Sequence, residues 1–252
     1  MFMQRDELVK YLDELLETAG FSDYGPNGLQ VEGQPTVKKV VTAVSASVEL
    51  FEKAIELHAN TILVHHGIIW NHERPVYRGG YKQRVKLLLE NNLNLIAYHL
   101  PLDAHLQFGN AAQIAARLGL RNREPFGEHK GNFLGVQADA GGITHAEMEQ
   151  RIRSEINRDV LFFPYGPERI ERIGIISGGG QKETNQAVLA GLDMYITGEA
   201  SEFVMHLARE ERIHFVAAGH YATERFGIQA LGDHLAETFQ LDVTFIDIPN
   251  PV

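Results

Sequence analysis

Short apolar runs rich in β-branched residues alternate with amphipathic helical patterns along the whole of this chain. Such alternation is typical of strands joined by helical crossovers, so it predicts a mixed, mostly parallel α/β architecture in three layers. In the first half we expect strands at 40–44, 61–64 and 93–98, with helices at 46–58 and 81–91. In the second half we expect strands at 173–176, 194–197, 213–217 and 243–248, with helices at 182–190, 201–210 and 223–239.

The two halves follow the same order of elements at a nearly constant spacing. Ser45 ends one buried strand of the first half, and Ser177 ends its counterpart 132 residues later. Val64 and Ile196 end the next pair of matching strands, and they are again 132 residues apart. Agreement in spacing, element type and order predicts that the chain contains a duplicated α/β unit.

The third pair of matching strands ends just before His99 and His220, which are only 121 residues apart. The long loop at 67–80 has no equivalent in the second half and explains the shorter spacing. We therefore expect one α/β repeat at 1–122 and a second at 123–252, with the C-terminal strand able to pair with the first repeat.

The segment at 119–142 is richer in glycine, asparagine and charged residues than its surroundings. Such a composition favours loop over regular structure. We expect this segment to be a linker that contains one strand at 133–138.

Charge and composition exclude several classes of function. The chain has 23 basic and 33 acidic residues, a net charge of −10 with neutral histidines, which does not favour duplex nucleic acid or anionic membrane surfaces as partners. It has no cysteine, which excludes disulfides, thiolate zinc sites and cysteine nucleophiles. No apolar run approaches the roughly 18 residues of a membrane span, and acidic Asp6 and Glu7 lie where a signal peptide is apolar. We expect a cytoplasmic protein.

Histidines and carboxylates follow the predicted strands at the ends where parallel α/β proteins bind ligands. His65 and His66 end one strand, a His-x-x-x-Asp motif at 99–103 follows the next, and a His-x-x-x-Glu motif at 220–224 follows the matching strand of the second half. A single histidine in such a place is more often structural, so the symmetric repetition carries the prediction. Nitrogen and oxygen donors without thiolate suit Zn²⁺, Fe²⁺, Mn²⁺ or Ni²⁺, and two such clusters suit a two-metal site.

Other polar positions near these strand ends are candidate substrate contacts. Asn27 and Gln30 can offer amides at the rim of a cleft, although a turn alone explains Asn27. Glu199 can orient a ligand or favour a helix dipole. Gly178 and Gly179 join a strand to a helix, in a turn that is either structural or holds an anion on its backbone amides.

Five motifs together resemble those of the GTP cyclohydrolase I type 2 homologue family, also called NIF-three-like. They are Asn27-Gly-Leu-Gln-Val-Glu-Gly33, Val64-His-His-Gly67, His99-Leu-Pro-Leu-Asp103, Thr197-Gly-Glu199 and Gly219-His-Tyr-Ala-Thr-Glu224. The resemblance covers the chain from about residue 4 to Pro251. It implies two intertwined α/β repeats, a hexameric ring built from dimers, and ring opening of GTP as the activity.

The resemblance also implies which side chains bind two divalent metal ions. Carried over by position, the ligands are His65, His66, Asp103, His220 and Glu224, all of which are present. The identity of the metal stays open among zinc, iron, manganese and nickel.

The residues and the resemblance lead to two hypotheses of different classes. The first is a hydrolase-like protein in which metal-activated water attacks a nucleotide-like or phosphate-bearing small molecule. His99 would then be a general acid or base, or a residue that supports the ligands. The alternative is a metal-binding interaction or regulatory protein without catalytic activity. Turnover of nucleotides or phosphoesters distinguishes the two.

Overall fold

A computed structural model describes residues 3–74 and 76–252. The strands are β1 (Met3–Gln4), β2 (Gly28–Val31), β3 (Thr36–Val37), β4 (Lys39–Ser45), β5 (Thr61–His66), β6 (Asn94–Ala97), β7 (Arg121–His129), β8 (Asn132–Thr144), β9 (Leu161–Pro164), β10 (Arg169–Ile175), β11 (Met194–Thr197), β12 (His214–Ala217) and β13 (Asp242–Phe245). The α-helices are α1 (Arg5–Leu15), α2 (Val48–Glu56), α3 (Gly79–Glu90), α4 (Leu100–Ala104), α5 (Asn110–Arg117), α6 (His145–Glu155), α7 (Thr184–Leu189), α8 (Glu202–Glu210) and α9 (His220–Phe239). None of the helices within these described ranges is long and apolar enough to cross a membrane.

The chain divides into two compact units. The first comprises Met1–Leu102 and Ile228–Ile248, and the second comprises Asp103–Gly227 and Pro249–Val252. These units are defined by spatial contacts, whereas the repeats at 1–122 and 123–252 were inferred from sequence spacing. The repeats therefore stay a prediction about duplication of the sequence.

The first unit contains a five-stranded sheet in the order β13-β4-β5-β6-β2. The first three pairings are parallel and β2 pairs antiparallel to β6. In the parallel register, Thr42 lies opposite both Phe245 and Leu63, and β13 is the edge strand next to β4.

Helices cover both faces of this sheet. Successive side chains of a strand point to opposite sides, so a strand that is apolar throughout needs cover on both faces. Val41 and Val64 belong to an apolar cluster with Leu50 of α2 on one face. On the other face, a Cβ placed at Gly232 of α9 would lie 3.1 Å from Thr42 Cγ2, so helix and sheet are in close contact there. The first unit is thus a three-layer α/β structure.

The second unit contains a six-stranded sheet in the order β7-β8-β10-β11-β12-β9. Only β11 has parallel neighbours on both sides; the other pairings are antiparallel. Ile196 packs with Ile152 of α6 on one face, and Tyr195 packs with Val204 of α8 on the other. The predicted mixed α/β fold is confirmed. Three of the four strand pairings in the five-stranded sheet are parallel, and two of the five pairings in the six-stranded sheet are parallel.

The segment predicted as a linker at 119–142 instead forms the long hairpin of β7 and β8. His129 pairs with Asn132, and the two residues between them, Lys130 and Gly131, have positive φ values of 49° and 86°. Two residues with positive φ are what a tight hairpin turn requires, because they match the twist of the strands. The expected strand at 133–138 is therefore part of a longer one.

Two buried asparagines hold the segment that leads into β4. Asn94 accepts a hydrogen bond from Gly33 N at 2.8 Å and donates to Gln34 O at 2.8 Å. Asn60 accepts from Lys38 N at 3.0 Å and donates to the backbone of the same segment. These amides satisfy backbone groups of this stretch through side-chain hydrogen bonds.

Candidate metal centre

Three histidines lie together at the ends of adjacent parallel strands in the first unit. His65 and His66 end β5, and His99 follows β6. One candidate ligand atom of each histidine lies within 4.8 Å of the other two. The ring centroids are 4.7 to 5.4 Å apart. We refer to His65, His66 and His99 as the three-histidine cluster.

The Nδ1 atoms of the strand-end pair face oxygen atoms of the same unit. His65 is buried, and its Nδ1 donates to the backbone carbonyl of Tyr98 at 3.0 Å. A carbonyl can only accept, so the proton of His65 is on Nδ1 and the lone pair is on Nε2. His66 Nδ1 lies 3.0 Å from Ser45 Oγ. Such contacts orient imidazoles for coordination through Nε2.

His99 is held by a carboxylate that the sequence analysis missed. Its Nδ1 donates to Asp23 Oδ1 at 2.7 Å, and the Asp23 side chain is only 3% exposed. Asp23 also accepts hydrogen bonds from the backbone of Tyr24 and Leu100 and from Asn27 Nδ2. Burial alone would raise the pKa of Asp23. The hydrogen bond and charge of His99, together with the hydrogen bonds from Asn27 and Tyr24, outweigh it and lower that pKa to about 2.

The two amides predicted as substrate contacts lie against the backbone around this cluster. Asn27 Oδ1 accepts from His99 N at 2.8 Å. Gln30 Oε1 accepts from Ile68 N at 2.8 Å, and a Cβ added to Gly67 would collide with the Gln30 side chain. Both amides thus position the residues that flank the histidines, and their contact with substrate stays a prediction.

Trp70, the only tryptophan of the chain, lies beside the three-histidine cluster. Its ring is 5.4 Å from that of His99 in an edge-to-face arrangement and 6.0 Å from that of His66. A cavity of about 10 Å³ is lined by Trp70, His65, His99 and Gln30, among others. That volume holds about one water molecule.

In the second unit, His220 lies between two carboxylates. Its Nδ1 is 2.6 Å from Glu199 Oε1 and its Nε2 is 3.1 Å from Glu224 Oε2. Burial alone would lower the pKa of His220, but Glu224 and then Glu199 outweigh it and raise that pKa to about 9. The structure therefore places Glu199 against a predicted ligand, and its predicted contact with substrate is untested.

Asp103, the remaining predicted ligand, is buried in the second unit with an exposure of 8%. Its Oδ1 accepts from Asn110 Nδ2 at 2.8 Å and from Ser177 Oγ at 3.0 Å. Asn110 is fixed in turn, because its Oδ1 accepts from Gly227 N at 2.7 Å. No motif in the sequence identified these supporting residues.

The glycine turn after β10 packs against the carboxylate of Glu224. Gly178 has a φ of 61°, and a Cβ at this position would collide with Glu224 Oε1. Gly178 N donates to Thr223 Oγ1 at 3.0 Å, and a Cβ at Gly179 would lie 4.0 Å from Glu199 Oε1. The anion-binding role predicted for Gly178 and Gly179 stays a prediction.

The donors of each unit fit a divalent transition metal by their chemistry. The first unit offers three clustered imidazoles, and the second offers an imidazole and two buried carboxylates. Imidazole nitrogen and carboxylate oxygen suit zinc, iron, manganese and nickel. A histidine whose Nδ1 is held by a carboxylate or a carbonyl is the usual arrangement around such ions.

The sequence is similar to one family model and to curated bacterial proteins over nearly its whole length. The model described as Duf34/NIF3 (NGG1p interacting factor 3) matches residues 3–251. A protein of Salmonella typhimurium strain LT2 named GTP cyclohydrolase 1 type 2 homolog is 45% identical over 256 residues, covering 99% of this chain and 100% of the relative. A protein of the same name from Escherichia coli K12 is 46% identical with the same coverage.

Solved structures share the fold. A protein of unknown function named ybgI has a TM-score of 0.93 at 46% identity, covering 99% of this chain and 100% of that one. TTHA1606 from Thermus thermophilus has a TM-score of 0.91 at 35% identity with the same coverage. Reduced HcgD from Methanocaldococcus jannaschii, at 22% identity and a TM-score of 0.86, covers 98% of this chain and 99% of that one and is similar in fold.

Proposed function

Because the chain belongs to the Duf34/NIF3 family, we propose that it is a dinuclear metal-dependent, hydrolase-like protein. Its substrate is a nucleotide-like or phosphate-bearing small molecule, and the name of its curated relatives makes ring opening of GTP the first reaction to test. One observation carries the proposal. In each unit an imidazole is oriented through Nδ1 by an oxygen of its own unit, His65 by Tyr98 O and His220 by Glu199.

We propose that five side chains hold the two ions. They are His65, His66, Asp103, His220 and Glu224, the positions that carry the family motifs. The support is the chemistry of these donors, the burial of His65, Asp103 and Glu224, and the family motifs in which all five occur. Zinc, iron, manganese and nickel all suit this donor set.

When bound, divalent ions supply Lewis-acid chemistry, which polarises a carbonyl or phosphoryl oxygen and makes water nucleophilic near neutral pH. The side chains of this protein prepare that chemistry. Glu199 fixes the ring of His220, and Ser177 and Asn110 fix one oxygen of Asp103. Since the pKa of His220 is about 9 in the metal-free protein, its Nε2 gives up a proton to solvent before it can coordinate.

The test combines metal content with turnover. Purified protein is incubated with Mn²⁺, Fe²⁺ or Zn²⁺, analysed for bound metal, and assayed with GTP, other nucleotides and phosphoesters. We expect about two ions per chain, and we expect Asp103→Asn to lose metal and turnover together. Asp139→Asn is the matched control, because Asp139 lies on β8 and bonds Asn122 at the surface. Retention of full turnover by Asp103→Asn contradicts the proposal.

A second outcome separates catalysis from binding. If two ions bind but no nucleotide or phosphoester turns over, the proposed hydrolase activity is wrong and a metal-binding interaction or regulatory protein is the better description.

The hexamer built from dimers is part of the same proposal. Light scattering after gel filtration should give a mass near six chains of 28.2 kDa, and a monomer contradicts it.

A further inference from the structure

We propose that Trp70 is the surface on which a planar heterocyclic base of the substrate stacks. That the base belongs to the substrate rests on the proposed function, because Trp70 lies beside the histidines of the candidate metal centre. The inference goes further than that function, since it selects one of the two substrate classes named there. A nucleotide-like molecule has a base that can stack, whereas a small molecule that bears only phosphate has none.

The ring neighbours of Trp70 in the described part of the chain are all imidazoles. The centroid of its ring lies 5.4 Å from that of His99, 6.0 Å from that of His66 and 6.3 Å from that of His72. The interplanar angles are 88°, 54° and 38°, so none of these three rings lies parallel to the indole. They therefore leave open the offset-stacked position that an aromatic ligand prefers.

The indole also offers a hydrogen-bond donor. Trp70 is half-buried, and its Nε1 makes no hydrogen bond to any residue at 3–74 or 76–252. This nitrogen is not among the buried side-chain atoms that lack a partner, so it is in contact with solvent. It can donate to an acceptor elsewhere on a ligand whose base stacks on the ring.

The backbone on both sides of Trp70 is fixed before any ligand binds. On one side, Gln30 Oε1 accepts a hydrogen bond from Ile68 N at 2.8 Å. On the other side, Asn71 N donates to Tyr24 O at 2.8 Å. A surface that is already ordered loses little conformational entropy on binding, which favours its use in recognition.

The exposed side chains next to Trp70 are apolar. Ile69 precedes it in the chain, and Tyr24 belongs to the segment that Asn71 holds; both side chains are exposed. A Cβ added to Gly25 would collide with Ile69 O, so the two segments lie directly against each other. An apolar rim beside a polar cluster is typical of a place where a small ligand binds.

The test uses the full chain stripped of metal, so that no ion can hold the base. Trp70 is the only tryptophan of the chain, so its fluorescence reports on this place alone. We expect guanosine, the nucleoside of GTP, to quench that fluorescence until the site is saturated. Ribose 5-phosphate, which has a phosphate but no base, should leave it unchanged. Absence of quenching by guanosine, or equal quenching by ribose 5-phosphate, overturns the inference and leaves the proposed metal centre standing.

Variants distinguish stacking from mere support of the histidines. In equilibrium dialysis, Trp70→Ala should bind guanosine about 5- to 150-fold more weakly, the usual loss for one stack of a base on an aromatic ring. Trp70→Phe keeps an aromatic face and should lose less. Both variants should keep the metal content of the unaltered protein. The control Tyr77→Ala should change neither property, because the exposed Tyr77 ring already stacks on Tyr81 at 5.5 Å.

The combined results separate failure of this inference from failure of the proposed function. If Trp70→Ala loses guanosine and metal together, or if the folded variant keeps full affinity for guanosine, stacking on Trp70 is overturned. If the unaltered protein binds guanosine through Trp70 but takes up no metal, the metal-dependent function is wrong instead. The chain is then a nucleoside-binding protein.

Discussion

The Nδ1 atom of His220 lies 2.6 Å from Oε1 of Glu199, and this contact directs the opposite nitrogen of the ring towards Glu224. Two carboxylates thus share one imidazole before any metal binds. A proton on His220 satisfies both of them, which explains why the pKa of this histidine is raised to about 9. Metal binding and proton binding therefore compete at this residue.

In the metal-free protein, protonated His220 should stabilise the fold in a pH-dependent way. The folded-state pKa of about 9 is above the usual value of 6.5, so the stabilisation is fully present below pH 6.5 and is lost as pH rises through 9. We expect His220→Gln to lower the free energy of unfolding by about 1.5–3 kcal/mol at pH 6. Urea unfolding in the presence of a chelator measures this. A difference that stays constant from pH 6 to pH 10 contradicts the prediction.

Glu199→Gln should weaken metal binding at His220 without removing a ligand. The amide cannot supply the negative charge that orients and polarises the ring, so we expect about a tenfold loss of affinity. The pKa of His220 should also fall towards its usual value, as measured by the pH dependence of its imidazole NMR signals. Glu202→Gln is the control, because that side chain is exposed at the start of α8. If Glu199→Gln and Glu202→Gln weaken metal binding equally, the loss comes from the net charge of the protein and not from the contact with His220.

His214 should make the protein less stable in mild acid. Burial lowers the pKa of this histidine, while Nε2 donates to Pro167 O at 2.7 Å and Nδ1 accepts from Gly166 N at 3.2 Å. As pH falls below 6.5 the unfolded chain takes up a proton that the folded protein resists, so stability declines. His214→Gln should be about 1–3 kcal/mol less stable at pH 7.5 and should lose less stability between pH 7 and pH 5. If the free energies of unfolding of both proteins fall equally between pH 7 and pH 5, His214 is not the cause of the loss of stability in acid.

Gly178→Ala should impair metal binding through Glu224. The new methyl group would collide with Glu224 Oε1, and the φ of 61° adds backbone strain. Gly191→Ala is a matched control, because Gly191 has a φ of 64° but has no atom within 4 Å of an added Cβ. We expect both variants to lose about 1 kcal/mol of stability from the strained φ. Only Gly178→Ala should also bind less metal in elemental analysis, and equal metal content in the two argues against this steric role.

Asn94→Ala should destabilise the first unit by about 2–4 kcal/mol, because it leaves Gly33 N and Gln34 O without the amide that satisfies them. Asn91→Ala is the control, since Asn91 is exposed at the end of α3 and bonds only its own helix at Leu87 O among the contacts described. Chemical denaturation compares the two. A loss below roughly 0.5 kcal/mol for Asn94→Ala, which is the scatter of surface substitutions, means that water replaces the amide.

The buried parallel strands could be predicted because their apolar runs are continuous, as in Val40 to Val44 and Thr61 to Val64. Since the carboxyl ends of parallel strands share one edge of a sheet, the histidines after β5 and β6 were also expected to be neighbours. That expectation holds for His65, His66 and His99.

The hairpin of β7 and β8 and the role of Asp23 could not be predicted in the same way. The hairpin lies at the edge of its sheet, and the first residues of β7, such as Arg121 and Glu124, are exposed and polar. They therefore lack the alternation of apolar and polar residues that indicates a strand. Asp23 sits among turn residues, where an aspartate is expected for local reasons. Asp23 and His99 are 76 positions apart in the sequence, so no local sequence pattern predicts their contact.

The parallel pairing of β13 with β4 affects the order in which the chain can fold during synthesis. Residues 242–245 leave the ribosome after all the other strands described above, yet they cover one edge of the sheet in the first unit. Until then the hydrogen-bonding groups along that side of β4 have no strand to satisfy them, which is a risk for aggregation of the nascent chain. Completion of the first sheet thus waits until the whole of the second sheet has been translated.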